Sequence, residues 1–273
     1  MAGVNNGGAA DDAAARQAAE VAVELTEGDG KASGKRIGPR LHSVADRATS
    51  AVAFVAANAR RGAHGARRGA GSAGRGVGSG MQWLTGQVVA MGPRLRIRDQ
   101  AALRARFPGQ TDDQIARQLV ERAARASAAV GGTTGAWAAL PALPAFPAEV
   151  AAETLAVVGI EVKLVAELHE VYGMGAVGSG TERARAYLGS WASRRGIYEV
   201  DGGLLLIAGS PLARQLTWRL ARRVRRSTLA LAPLFTGAVA GAVLNRRETR
   251  RLGYEIRDDL RQRRRTVTAT VIR

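Results

Sequence analysis

Cysteine is absent from the chain, which excludes disulfides, a thiol nucleophile and a thiolate metal site and suits a reducing compartment. Aromatic residues are scarce, 4% against 46% hydrophobic overall. A core must therefore come from small and aliphatic side chains in close helix contacts rather than from aromatic clusters. Lysine occurs only at Lys31, Lys35 and Lys163, so the formal net charge of +17 rests almost wholly on arginine. Such an excess attracts phosphates, whether of nucleic acid or of anionic lipid. The competing reading is a solvated basic surface in a chain enriched together in Ala, Gly and Arg.

Motifs that would carry chemistry are also missing. There is no H-E-x-x-H, no Walker loop and no strand followed by G-x-G-x-x-G that opens a helix. A di-metal carboxylate site in a helical bundle uses Glu-x-x-His pairs, whereas Glu167 and His169 are two apart and point to different sides. None of the three histidines sits in a recognisable nucleophile context. The expectation is a non-enzymatic protein with no catalytic residues, no cofactor and no metal site.

The stretch that organises the rest is Phe146 to Gly173, FPAEVAAETLAVVGIEVKLVAELHEVYG. Pro147 suits a first helical turn and Gly173 a left-handed stop. At about 100° per residue, Glu149, Glu153, Lys163, Glu167 and Glu170 gather into one polar strip, expected to be solvated or salt-bridged to Arg-rich helices. Leu155, Val157, Val158, Val162, Leu164, Val165, Leu168 and Val171 cover the rest, the pattern of a helix wrapped by others. Glu161 falls inside that apolar sector and needs a partner.

Around this helix the chain divides as follows. Residues 1–34 read as a disordered or partly helical tail without the basic and apolar regions of an export signal. Residues 35–95 hold N-terminal helices, one near Met81 to Met91 with Trp83 as an anchor, and an Arg/Gly-rich linker at 60–80. That linker has no interleaved aromatic for base stacking. Thr111 with Gln114 is a capping box that starts a helix at Asp112, and Ser179 with Glu182 is a second, its helix stopping near Gly196. The uncharged run 126–148 is long enough to span a bilayer, but three glycines and three prolines interrupt it. It reads as a buried connector. Around Gly202 and Gly203 a turn leads to Leu204–Ile207, a short strand or a helical turn.

Ser210-Pro211 opens a basic helix, and a final helix is expected from Leu234 to Arg265, leaving 266–273 as a C-terminal tail. Ala238, Gly241, Ala242, Asn245, Thr249, Leu252, Ile256 and Leu260 share one stripe of the final helix, small at its start and large at its end. Gly237 and Gly241 would let the central helix approach. Asn245 and Glu161 form the expected buried polar pair, with Thr249 or an Arg as further partners of Glu161. Glu161→Leu is then expected to stabilise if the site is purely structural. Residues 211–273 carry sixteen arginines against four acids, a surplus of twelve.

The segments LVAELHEVYG, with its Pro-rich approach, and PLFTGAVAGAVLNRRETRRLG resemble the EcsC family over roughly residues 96–265. The resemblance implies an α-helical bacterial protein of unestablished activity and carries over no catalytic residues. The first 95 residues lie outside it.

Together these readings predict an all-α protein, an irregular multi-helix bundle around a long buried central helix. It would be cytoplasmic and peripheral at the inner face of the cell membrane, touching anionic membrane surface, or a protein within it, through Arg222, Arg223, Arg225, Arg226, Arg246, Arg247, Arg250 and Arg251. These arginines flank the uncharged run 227–245 on both sides, which fits headgroup contact around an apolar wedge. The alternatives are a buried helical hairpin with solvated arginines, a weakly specific nucleic-acid binder, an integral membrane protein, or an uncharacterised enzyme.

Overall fold

A computed structural model describes Arg16, Glu20 and residues 86–137, 146–200, 203–206 and 235–271. The Arg/Gly segment 60–80, Trp83, the helix expected after Pro211 and Arg222, Arg223, Arg225 and Arg226 lie outside these residues. So does the 1–34 tail apart from Arg16 and Glu20, which are helical.

Helical residues 86–91 pass through a 3-10 turn, Gly92–Arg94, into α1 (Gln100–Arg106), α2 (Asp112–Trp137) and α3 (Phe146–Val171). There follow α4 (Gly180–Arg195), the strands β1 (Ile197–Val200) and β2 (Gly203–Leu206), and α5 (Phe235–Val271). The fold is all-α. Among the described residues the sheet is a single antiparallel hairpin that sets Ile197 opposite Leu206 and Val200 opposite Gly203.

Local chemistry accounts for the helix ends. Thr111 N–H donates to Gln114 Oε1 at 2.8 Å and Gln114 N–H to Thr111 Oγ1 at 3.3 Å, so two backbone donors at the head of α2 are satisfied reciprocally. Ser179 and Glu182 do the same for α4. The short α1 went unanticipated, yet its signal was present: Asp99 caps it by accepting the Ala102 N–H at 2.8 Å. Gly173 ends α3 at φ +71°, a left-handed conformation that costs a glycine little.

Helices α2 and α5 run antiparallel and make the most extensive contact among the described elements, with α3 against both and α4 over α3. From Glu153 to Tyr172 every residue of the central segment is buried except His169, which is half-buried. Leu252, Ile256 and Leu260 on α5 join Val120, Leu164 and Leu168 in one apolar core.

Four expectations require correction. The run from residue 126 is not connector at first: α2 continues through Gly131 and Gly132 to Trp137. A Cβ on Gly131 would lie 2.4 Å from the Gly241 carbonyl oxygen, so glycine there is what lets α2 and α5 touch backbone to backbone. The close approach at Gly241 is therefore to α2 rather than to the central helix. Residues 266–271 are not tail, because α5 stays helical to Val271. Of the two states expected for the polar strip of α3, the solvated one does not hold, since Glu153, Lys163, Glu167 and Glu170 are all buried, whereas salt bridges do form at Lys163, Glu167 and Glu170.

Gly189 differs from Gly131, since it lies inside α4, is exposed, and a Cβ there would meet nothing within 4 Å. Gly189→Ala removes backbone freedom from the unfolded chain without a clash. It is expected to raise stability by about 0.5–1 kcal/mol, read as a higher urea midpoint at unchanged slope.

Candidate functional site

Two polar constellations stand out, one outside the bundle and one within it. The outer one is the face of α5 turned away from the core. Val239 and Val243, one turn apart, are 61% and 60% exposed. The same face continues with exposed Arg246, Arg247 and Arg250, then Tyr254, and then Arg257. The guanidinium of Arg250 lies 5.6 Å and that of Arg257 4.7 Å from the centre of the Tyr254 ring, so the basic row is interrupted by one aromatic plate.

Acidic residues of α2 line one edge of this row. Glu121 takes Arg250 at 2.7 Å and Arg246 at 3.7 Å, and accepts the Tyr254 hydroxyl at 3.1 Å. Asp113 pairs with Arg261 at 3.1 Å, and Asp112 with Arg264. Arg251 bonds Glu255 on its own helix at 2.8 Å. Arg247 has no ion-pair partner among the described residues. Thus four of the eight arginines expected to contact phosphate lie on one exposed helix face or at its edge. Glu121, which touches two of them, was not singled out from sequence because it sits more than a hundred residues away.

The inner constellation is centred on Glu161, 1% exposed. Its carboxylate accepts Trp191 Nε1–H at 2.9 Å, Arg195 Nε–H at 3.1 Å and Thr249 Oγ1–H at 2.9 Å, and a second Arg195 nitrogen bonds its other oxygen. Ser127 Oγ lies 2.9 Å from Thr249 Oγ1, so α2, α3, α4 and α5 meet in one buried network. Arg195 also approaches Glu248 at 3.7 Å. Asn245 is buried as well, but its amide donates to Glu153 at 3.0 Å. Glu161 and Asn245 are therefore not a pair with each other. Thr249, one turn further along α5, is the residue that reaches Glu161. Trp191 and Arg195, four apart on one face of α4, escaped the sequence reading because their partner lies on another helix.

Further along α3 the strip is satisfied in the same way. Lys163 bonds Glu167 at 2.6 Å and the Arg96 carbonyl, while Arg98 reaches Glu167 at 3.1 Å. Glu170 accepts from Tyr187 Oη and from Arg183, both at 2.6 Å. Burial raises the Tyr187 hydroxyl above its ordinary range, and the carboxylate beside it adds to the effect. Among the described residues no cluster of three or more His, Asp or Glu could hold a metal ion. The inner network has the form of a structural lock: each carboxylate meets donors that hold it in place.

His169 donates from Nδ1 to the Val165 carbonyl at 2.7 Å and lies 5.7 Å, centroid to centroid, from the Tyr187 ring. Burial is the main cause lowering its pKa below the ordinary 6.5. Arg263 and Arg194 lower it further, whereas the Val165 bond and Asp259 act the other way. The folded protein thus binds its proton less readily than the unfolded chain. The stability this confers is present above about pH 6.5 and is lost as pH falls through 6.5 toward the depressed value. In thermal melts between pH 7.5 and 5, the unfolding temperature of the wild type is expected to fall more than that of His169→Gln. Parallel curves would show that this histidine is not the linked group.

No protein-family model, curated protein or solved structure matches the chain.

Proposed function

We propose that this is a non-enzymatic interaction protein that docks peripherally on an anionic membrane surface through the outer face of α5. The observation that carries the reading is the order of side chains on that face. The exposed valines 239 and 243 suit shallow entry into the acyl boundary, and Arg246, Arg247 and Arg250 follow at the spacing of adjacent turns, where headgroup phosphates would lie. Peripheral docking fits the finding that no helix among the described residues is long and apolar enough to cross a membrane. The net charge of +17 favours an anionic surface. Arg222, Arg223, Arg225 and Arg226, which lie outside the described residues, add to the same basic charge in the sequence.

The test is co-sedimentation with phosphatidylglycerol-containing vesicles, neutral phosphatidylcholine vesicles and, in parallel, a random DNA duplex. Binding to the anionic vesicles alone, weakening as salt rises, is the expected result. Equal binding to neutral vesicles removes any role for charge. Tight binding to DNA with none to vesicles transfers the basic face to nucleic acid. Arg247→Gln breaks no ion pair among the described residues. It should weaken binding to anionic vesicles about fivefold, the effect of one basic side chain near the surface, at unchanged thermal stability.

A further inference from the structure

Most arginines on the outer face of α5 are not idle, because carboxylates of the same chain already occupy them. In one case a single carboxylate serves two of them: Glu121 of α2 joins Arg246 and Arg250, which are one turn apart on α5. One carboxylate receives Arg250 at 2.7 Å, Arg246 at 3.7 Å and the Tyr254 hydroxyl at 3.1 Å. Both arginine side chains remain about half exposed, at 51% and 50%. The Arg250 guanidinium is further placed by the Tyr254 ring. Two arginines and a phenol converge on a single small anion at the surface, beside the exposed Val243. This donor set also suits a phosphate, which offers more acceptor oxygens and more charge than a carboxylate.

We infer that Arg246, Arg250 and Tyr254 form a phosphate-binding site for an anionic phospholipid headgroup, and that Glu121 is its resident counter-ion, displaced when the headgroup binds. The inference deepens the membrane-docking reading and rests on it. Glu121 makes membrane attachment an exchange of anions: each binding event breaks the ion pairs of one carboxylate and makes those of one phosphate. The native affinity is thereby held below what the bare arginines would give. Val239 and Val243 lie toward the N-terminus of α5 from the arginines, so acyl chains would lie over the valines while the headgroup reaches Arg246 and Arg250.

The experiment compares wild type, Glu121→Gln and Asp99→Asn on phosphatidylglycerol vesicles at fixed ionic strength. Asp99→Asn adds the same unit of positive charge away from the site, and Asn retains the capping of α1. Glu121→Gln is expected to bind about fivefold more tightly than wild type, and Asp99→Asn within about twofold of it. The double variant Arg246→Gln/Arg250→Gln should lose affinity, and adding Glu121→Gln to it should gain no more than Asp99→Asn does. If the wild type binds but Glu121→Gln matches Asp99→Asn, the counter-ion idea is overturned while membrane docking stands. If neither wild type nor Glu121→Gln binds, both fail. Release by inorganic phosphate, measured against sodium chloride of equal ionic strength, would overturn the lipid assignment in favour of a free phosphate ligand. Circular dichroism melts of each variant separate these outcomes from loss of fold.

Discussion

Replacing Arg195 by methionine is expected to cost about 3–5 kcal/mol, among the largest effects of any single change in this protein. Among the described residues Arg195 is the one cation hydrogen-bonded to Glu161, and both side chains are almost wholly removed from water. The methionine fills similar space, so the loss comes from a buried carboxylate left without a countercharge. Trp191 and Thr249 would still donate to it, but neutral donors do not replace the cation. Glu161→Leu is expected to be comparably harmful, in contrast to the stabilisation anticipated from sequence, because it leaves Arg195 with no carboxylate among the described residues but Glu248, at 3.7 Å. The double variant Glu161→Leu/Arg195→Met should recover most of the loss, as buried ion pairs replaced together by apolar groups often do. Urea unfolding of the four proteins measures the cycle. Additive losses would mean that the two residues act independently and that the network is not a lock.

Gly131→Ala is the second large effect. In an open helix the change would gain about 1 kcal/mol of helix propensity, as expected at Gly189. At Gly131 the new methyl would stand 2.4 Å from the Gly241 oxygen and 2.6 Å from the Asn245 side-chain nitrogen. Backbone atoms cannot swing aside, so α2 and α5 must part, and Asn245 is pushed from its bond to Glu153. Overpacking and the broken buried bond together outweigh the propensity gain, for a net loss of about 2–4 kcal/mol. Thermal melts of Gly131→Ala beside Gly189→Ala should move in opposite directions. If both rise, the helices do not meet at Gly131. Function should follow the same logic, since a displaced α5 carries its outer face with it.

The contrast between these two glycines marks how far the chain could be read in advance. Each is a helical glycine with no φ signal of its own, and only the facing helix separates a structural requirement from a cost. The same holds for the strip on α3. Glu153, Lys163, Glu167 and Glu170 have the spacing of an exposed polar face, and helical periodicity alone places them on the solvent side. They are buried because α5 supplies Asn245 to Glu153, while α4 and the segment before α1 supply Arg98, Arg183, Tyr187 and the Arg96 carbonyl to the others. Burial of a charge depends on a partner from elsewhere in the chain, and periodicity carries no record of it.

What the amino-acid order determined by itself was the local structure. The capping residues Thr111 with Gln114 and Ser179 with Glu182 start helices, the left-handed glycines 173 and 196 end them, and the apolar run of Leu155 to Val171 marks a helix that others must wrap. These signals act within a few residues, where backbone hydrogen bonds are made or left unmade. Tertiary structure alone decided which polar groups meet. It gave Glu161 to Arg195, Trp191 and Thr249, Asn245 to Glu153, and the Arg246 and Arg250 guanidiniums to Glu121. Those partners lie about thirty to more than a hundred residues apart, and a hydrogen bond or ion pair has no energy until packing brings its two ends within reach.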